Sequence, residues 1–223
     1  MAKPLLIAVA PVASQSGYGK HAQDVVRAII RLDKFDVKIF SIRWGSTPLN
    51  ALQQGKDDDI ISRLMPTPQL PRKPDVSVQI TIPPEFQNIA EYNIGVTAGI
   101  ETTVPNPTWI EGLNRMNLNI VPSKHSADVF KFCEFTKNDE QTKQPIGHLK
   151  VTAPVEILFE GADISKFHRI TDKPLEPEVL HELEKIPDEF CFLYVGHWLD
   201  GAIGQDRKDV GMLVKLFYET FKN

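Results

Sequence analysis

Residues 154–167 read PVEILFEGADISKF, and this stretch contains the clearest strand-to-loop transition of the chain. Its apolar run, residues 155–159, is rich in branched and aromatic side chains and predicts a β-strand. The run stops at Glu160, Gly161 and Asp163, where acidic side chains and a glycine favour a turn. In α/β proteins ligands bind beyond the carboxyl ends of the strands. We therefore expect these three residues to lie at such an end.

The amino-terminal part of the chain has the same order. Residues 5–10 are continuously apolar, as expected of a parallel strand that is buried on both faces. A loop then leads into Gly17, Tyr18, Gly19 and Lys20, and apolar residues recur after them with the period of a helix. A glycine loop before a helix suits an anion, because the backbone comes close and the first helical N–H groups point outward. We therefore predict a phosphate or sugar contact at these four residues.

Two other interpretations of this glycine loop stay open. Residues 17–22 also satisfy the G-x-G-x-x-[GA] pattern of dinucleotide sites, which together with Arg43 predicts an NADP-linked oxidoreductase. Against this, residues 11–16 separate the strand from the first glycine, where the pattern requires a tight turn. The predicted second strand, residues 36–42, ends in Arg43 and Trp44 and offers no carboxylate there for a ribose hydroxyl. The remaining interpretation is that the glycines only permit a sharp turn.

Strands and helices continue to alternate along the chain. Three further strands are predicted by their apolar side chains, at residues 76–82, 92–98 and 118–121. Helices are predicted at residues 108–116 and 124–132, the second with Ser123 as its N-cap. This alternation predicts an α/β fold with a doubly wound, Rossmann-like parallel sheet and flanking helices. The loops that follow the strands then share one rim, formed by residues 17–20, 99–103, 123–124 and 160–163.

Composition excludes several classes of protein. The net charge of −4 provides no overall basic field for binding nucleic acid. The apolar run near the amino terminus is too short, and has too little positive charge before it, for a signal peptide or a membrane span. Cys133 and Cys191 are too few and too far apart for a disulfide framework, so we expect reduced thiols in a cytoplasmic protein. The histidines show no metal-ligand spacing, and we expect no metal site.

The order of motifs along the chain resembles that of GT-B glycosyltransferases, in particular the large family 4-type group. The motifs that carry the resemblance are SGYG (16–19), GIETT (99–103), NIVPSKHS (119–126), EGAD (160–163) and VG (195–196) before a basic pair. They cover nearly the whole chain. The resemblance implies retaining transfer of a sugar from a nucleotide-diphosphate sugar to an unknown acceptor, without a metal or other cofactor. It divides the chain into three parts: an acceptor-side domain (1–172), a linker helix (173–188) and the start of a donor-binding domain (189–223).

The resemblance also implies roles for particular residues. Glu101 becomes the candidate catalytic carboxylate, which orients or deprotonates the acceptor hydroxyl; alternatively, Glu101 caps the nearby helix. The donor phosphates are expected to contact Gly17, Tyr18, Gly19, Lys20, Gly196, Arg207 and Lys208. The acceptor rim is expected to comprise Thr102, Ser123, Lys124, Glu160, Gly161 and Asp163. Arg207 and Lys208 are also compatible with a solvated helix start.

A strand over residues 190–195 and a helix over residues 210–221 are expected to open the donor-binding domain. One strand–helix unit cannot bury its own faces. We therefore expect this unit to dock on the first domain, on a missing carboxyl-terminal domain or on another chain. The chain is then a truncated enzyme that is inactive alone. The alternative is a non-catalytic, glycosyltransferase-like protein that binds an acceptor or a partner.

Overall fold

The structure is a computed structural model that describes residues 3–67, 69–100, 102–139, 141–165, 167–169, 175–196, 198, 201–206 and 208–222. The chain divides into two compact units, Met1–Asp163 and Ile164–Asn223. The predicted boundaries at residues 172 and 188 stay predictions.

The first unit alternates strands with helices. Its strands are β1 (Leu5–Ala10), β2 (Asp36–Ser41), β3 (Val76–Ile80), β4 (Tyr92–Val96), β5 (Leu118–Val121), β6 (Glu134–Asn138), β7 (Pro145–Lys150) and β8 (Val155–Ile157). Its helices are α1 (Gly17–Arg31), α2 (Asp58–Ile61), α3 (Pro107–Leu113) and α4 (Lys124–Phe132), with a single 3-10 turn at Pro83–Glu85. Six strands form one sheet in the order β2-β1-β3-β4-β5-β8, and every neighbouring pair is parallel.

Both faces of this sheet are covered, because successive side chains of a strand point to opposite faces. On one face, alternate residues of β1 such as Leu6 and Ala8 pack with Val26 of α1. On the other face, Phe86 and Phe130 belong to a second core cluster, which includes residues of α3 and α4. The predicted α/β fold with a doubly wound, Rossmann-like parallel sheet is therefore confirmed.

Three helices of the first unit, α1, α3 and α4, begin at side chains that accept hydrogen bonds from otherwise unpaired backbone N–H groups. Ser16 accepts from the N–H of Gly19 at the start of α1, and Asn106 accepts from the N–H of Thr108 at the start of α3. Ser123 caps α4 by accepting from the N–H of Ser126, as predicted from the sequence. These caps fix where each helix leaves its loop.

A hairpin of β6 and β7 is present although the sequence pattern did not predict it. The two strands pair antiparallel as a separate two-stranded sheet. Most of their side chains are polar and exposed, and only Phe135 and Leu149 pack against the second core cluster. A strand that buries a single large apolar side chain lacks the alternation by which half-buried strands are recognised.

The second unit contains helices α5 (Pro177–Glu184) and α6 (Val210–Thr220). The predicted strand over residues 190–195 is wrong, since its described residues belong to no strand. The physical reason is that a strand needs a neighbour for its backbone N–H and C=O groups, and the described residues of this unit provide none. The run instead packs through Phe192, whose ring centroid lies 5.8 Å from that of Phe217 and 5.6 Å from that of Phe221. Within the described residues, no helix combines the length and the apolarity that a membrane span requires.

Replacing Phe86 by alanine is expected to destabilise the first unit by about 3–5 kcal/mol, because a fully buried aromatic side chain leaves a cavity. Phe86 is 0% exposed, and its ring fills the space where Gly95 has no Cβ. Urea unfolding in a Trp198→Phe background measures this loss, since the remaining tryptophans both lie in the first unit. The control Phe159→Ala removes a ring that is 74% exposed and should change stability by less than about 0.5 kcal/mol. Equal losses in both variants would contradict the packing described.

Asp75 is expected to make folding pH-dependent in acid. Hydrogen bonds from the Arg72 guanidinium and from the backbone N–H of Leu5 lower the pKa of its carboxyl from 3.8 to about 2. Because the folded pKa is depressed, the contribution is present above the unfolded pKa and is lost as the pH falls through about 2.

We expect Asp75→Asn to lower the melting temperature at neutral pH, and the difference from wild type to shrink between about pH 4 and pH 2. Scanning calorimetry across this range measures the difference. The control Glu91→Gln removes a solvent-exposed pair with Lys73, which should matter little at any pH. A difference that stays constant with pH would contradict the role of the Asp75 carboxylate.

Candidate functional site

The carboxyl ends of the six parallel strands meet at one edge of the main sheet. Along the chain, β2 lies on one side of β1 and β3 lies on the other, so the order of strands reverses at β1. Open α/β sheets bind ligands outside the carboxyl ends of their strands, at such a reversal. We use the name carboxyl edge for the segments that follow the strands there, namely residues 11–21, 42–49, 97–103, 122–126 and 158–163.

Tyr18 connects two of these segments through its hydroxyl group. The oxygen lies 3.1 Å from the Thr97 hydroxyl and accepts a hydrogen bond of 3.0 Å from the backbone N–H of Ala98. Thr97 is buried directly after β4, whereas Tyr18 lies in the first turn of α1. The start of α1 is therefore held against the segment that follows β4.

The same Tyr18 ring stacks on Trp44, which follows β2. The ring centroids lie 3.8 Å apart and the planes are 22° from parallel. The hydroxyl of Thr47 donates to the carbonyl of Trp44 and also hydrogen-bonds to Ser14 in the loop after β1. The segments after β1, β2 and β4 therefore form one connected structure.

A third connection joins the segments after β4 and β5. The Ser126 hydroxyl donates a 3.4 Å hydrogen bond to the carbonyl of Ala98. Gly99 has φ = +79°, and a Cβ there would overlap the Ser126 side chain. Glycine is required at this position for both reasons, since other residues rarely adopt positive φ. The glycine of the GIETT motif thus has a structural role beside α4.

His21 connects α1 to the segment after β8. Its Nδ1 lies 3.5 Å from a carboxylate oxygen of Glu160. The His21 side chain is 18% exposed and that of Glu160 is 50% exposed, so the pair faces solvent on one side. This contact brings the EGAD motif next to the first two turns of the helix that begins with SGYG.

A polar pocket of about 170 Å³ lies beside the start of α1. Its lining residues are Ser14, Gln15, Ser16, Lys20, Gln23 and Ala51. The Lys20 ammonium forms an exposed ion pair of 2.7 Å with Asp24, which a stronger anion can displace because such surface pairs contribute little. Hydroxyls, an amide and a cation around a small cavity form a suitable environment for a phosphate or a sugar hydroxyl.

The two glycines of the SGYG motif have different roles. A Cβ on Gly19 would overlap the carbonyl oxygen of Ser14, whereas a Cβ on Gly17 would meet open space. Both glycines lie inside α1 and not in a tight turn between strand and helix. This geometry differs from the strand–turn–helix that the dinucleotide pattern requires. Close packing therefore explains why position 19 is a glycine. Any contact of this motif with a ligand would come from the residues beside Gly19.

The other predicted site residues lie as follows. Glu101 and Arg207 fall outside the described residues. Thr102 is exposed at the carboxyl edge and donates to the Val104 carbonyl, and Lys124 is exposed in the first turn of α4, where it pairs with Asp128. The structure thus brings the predicted residues after β1, β4, β5 and β8 to one edge: Gly17, Tyr18, Gly19, Lys20, Thr102, Ser123, Lys124, Glu160, Gly161 and Asp163.

Besides Arg207, two predicted phosphate contacts belong to the second unit, and the structure describes both. Gly196 lies under the Tyr194 ring, whose hydroxyl a Cβ would overlap. Lys208 is exposed, and its backbone N–H donates to Asp206 in the turn before α6. Their roles toward a donor stay predictions. In the described parts of the chain, no group of three histidine, cysteine, aspartate or glutamate side chains is placed to hold a metal ion.

Sequence reasoning missed Trp44, Thr97, Ser126 and the pairing of His21. Each lies within a few residues of a strand's carboxyl end or in the first two turns of the following helix. This position in the sequence was the signal that could have identified them, because residues that follow the strands of a parallel sheet come together at its carboxyl edge. The partners of these side chains were not predictable, because they lie far away along the chain.

A larger cavity of about 430 Å³ lies against the sheet face opposite α1. Ile7, Val9 and Phe40 contribute to its wall. Gln79 also lines it, but both ends of the Gln79 amide are bonded to the backbone of Gln87. The cavity therefore presents mainly apolar surface, and we place the candidate site at the carboxyl edge.

Comparison of the chain with protein-family models, curated proteins and solved structures returned no match. The likeness to GT-B glycosyltransferases therefore stays a prediction from the order of the motifs in the sequence.

Replacing Gly19 by alanine is expected to destabilise the first unit by about 1–3 kcal/mol, because the new Cβ has no room beside the Ser14 carbonyl. The matched variant Gly17→Ala has open space and should change stability by less than about 1 kcal/mol. Urea unfolding monitored by tryptophan fluorescence measures both. If the two variants lose the same stability, the close contact between α1 and the loop after β1 is wrong.

Proposed function

We propose that this chain is the acceptor-side domain, with the start of the donor-binding domain, of a retaining GT-B glycosyltransferase. The enzyme to which it belongs transfers a sugar from a nucleotide-diphosphate sugar to an acceptor. A cytoplasmic location, as suggested by the two unpaired thiols of Cys133 and Cys191, is part of the same proposal. No metal or other cofactor is required in it.

The observation that supports this proposal best is the convergence of the motifs. SGYG, GIETT, NIVPSKHS and EGAD are far apart in sequence, yet contacts of Tyr18, Ser126 and His21 join the segments that contain them. Open α/β sheets bind ligands at this edge, so the placement of the motifs is compatible with a binding role. The same edge presents the polar pocket beside Lys20.

The chemistry required of the first unit is binding and orientation. Lys20 and the hydroxyls of the polar pocket are suited to a charged or hydroxylated ligand group. Glu101 is proposed to orient the acceptor hydroxyl or to accept its proton. Retaining members of the group imply front-face transfer that is assisted by the leaving phosphate, so no covalent nucleophile is assigned. Arg207 and Lys208 are proposed to stabilise the charge that develops on the leaving diphosphate.

A second candidate function is a non-catalytic binding protein with a glycosyltransferase-like first unit. The observation that favours it is the second unit, whose described residues contain no strand. A Rossmann-like donor site is built at the carboxyl ends of strands. In this alternative the carboxyl edge recognises an acceptor or a partner without transferring a sugar.

We expect one nucleotide-diphosphate sugar among the UDP, GDP and ADP conjugates to bind the chain and raise its melting temperature. A ligand present at a hundred times its dissociation constant adds about 2.7 kcal/mol to stability. Lys20→Ala should weaken this binding about tenfold by removing one charge-assisted contact. Thermal shift identifies the ligand, and isothermal titration calorimetry measures the affinity.

The matched control is Lys34→Ala, which removes an exposed lysine just beyond the far end of α1 and should leave the affinity unchanged. The proposal is wrong if the wild-type chain binds none of these nucleotide sugars. Binding of NADPH alone would instead support the oxidoreductase interpretation of residues 17–22. An equal loss of affinity in both lysine variants would show that Lys20 contributes only general charge.

A further inference from the structure

We propose that Trp44 is the platform on which the acceptor stacks and that the acceptor is therefore a carbohydrate with a pyranose ring. This inference rests on the proposed function, because it places the acceptor at the carboxyl edge. It identifies a binding residue outside the family's motifs and a chemical class for the acceptor.

The side chain of Trp44 is held in place by its contact with Tyr18. Tyr18 covers one face of its indole at a centroid distance of 3.8 Å, and the Tyr18 hydroxyl is itself fixed by Thr97 and the backbone of Ala98. Stacked aromatic pairs of this kind add about 0.5–1.5 kcal/mol beyond the area they bury. The Trp44 side chain thus has a defined orientation before any ligand binds.

The loop that contains Trp44 is also fixed. Thr47 donates to the Trp44 carbonyl through both its backbone N–H and its hydroxyl. Its hydroxyl also bonds to Ser14, and the Pro48 carbonyl accepts from the backbone N–H of Gln15. These bonds attach the loop after β2 to the polar pocket. A preorganised residue loses less entropy when a ligand binds, which favours recognition.

Trp44 is nevertheless only partly buried. Partial exposure is common for tryptophan, whose large side chain is rarely covered completely, and it becomes informative here because Trp44 lies at the carboxyl edge, where open α/β sheets bind ligands. Here a large aromatic side chain lies in a polar loop, one residue after the exposed Arg43. Partly exposed aromatic side chains among polar groups are typical of binding sites.

The surrounding polar groups favour a sugar ring over a nucleobase. A pyranose has an apolar face of C–H groups that stacks on an aromatic ring, and hydroxyls around its rim. The hydroxyls of Ser14, Ser16 and Thr47 are bonded to one another and to the Trp44 carbonyl, so their oxygens can accept from a ligand, while the amide of Gln15 can both donate and accept. Acceptors of this kind suit the hydroxyl substituents of a sugar, which donate, whereas the edge of a base presents a fixed pattern of donors and acceptors.

The test uses the full chain and two sets of probes: methyl α- and β-pyranosides of glucose, galactose, mannose and N-acetylglucosamine, and the nucleosides uridine, guanosine and adenosine. Ligand-observed saturation-transfer NMR detects weak binding, and its titration with ligand measures the affinity without depending on tryptophan fluorescence. We expect at least one pyranoside to bind saturably. Trp44→Leu, which keeps apolar bulk on Tyr18 without an aromatic face, should weaken that binding at least tenfold.

Trp44→Phe retains an aromatic face and should keep a larger part of the affinity than Trp44→Leu. Trp198→Phe is the matched control, because Trp198 lies in the second unit and is 64% exposed; it should bind like wild type. Melting temperatures of all variants establish that they fold. Unchanged pyranoside affinity in Trp44→Leu would overturn the inference, as would Trp44-dependent binding of nucleosides alone.

The result of this pyranoside test can be distinguished from the result of the nucleotide-sugar test of the proposed function. If a nucleotide sugar binds but none of the pyranosides does, the inference that Trp44 stacks on a pyranose acceptor is wrong. The glycosyltransferase proposal then stands. If a pyranoside binds through Trp44 but no nucleotide sugar binds, the chain is a carbohydrate-binding protein, and the glycosyltransferase proposal fails.

Discussion

Burial of β1 on both of its faces is the constraint on which the first unit depends. Ala8 is completely buried, and its small side chain lets α1 approach the sheet through Ala22 and Val26. Because α1 must lie this close to β1, its first turn is pressed against the preceding loop, and only glycine fits at position 19. The start of α1 is thereby placed at the carboxyl edge, where Tyr18 reaches the segment after β4. The close approach of α1 to β1 therefore determines both the packing of the core and the position of the candidate site.

The opposite face depends on a buried polar residue. The side-chain oxygen of Asn93 accepts hydrogen bonds from the N–H groups of Ile89 and Ala90 and from the hydroxyl of Ser77. A buried amide without these partners would cost about 1–3 kcal/mol, so the network specifies one path for the segment before β4. That path places Phe86 over Gly95. A polar group in the core thus helps to position a fully buried aromatic ring of this face.

The six-stranded sheet was predictable because its strands are marked by apolar side chains, continuous in β1 and alternating with polar residues in β3, and because helical patterns recur between them. The hairpin of β6 and β7 was not, since its strands are mostly polar, and residues 190–195 were misleading because apolar character alone does not supply a partner strand. Much of the candidate site was predictable as a set of loops. Its internal contacts were not: the Tyr18 hydroxyl and Thr97 are 79 positions apart, and no local pattern encodes such a pair.

The geometry of α1 also limits how a ligand can use the SGYG motif. The N–H of Gly19 is already bonded to the Ser16 hydroxyl, and the space beside its Cα is filled by the Ser14 carbonyl. Gly19 therefore offers a ligand neither an N–H group nor room. A contact with this motif or its neighbour is therefore left to Gly17, which faces open space, to the Ser16 hydroxyl in the polar pocket and to the side chain of Lys20. The residues of the motif thus have different roles. Gly19 packs the helix against the preceding loop, and the neighbouring residues are the ones that can contact a ligand.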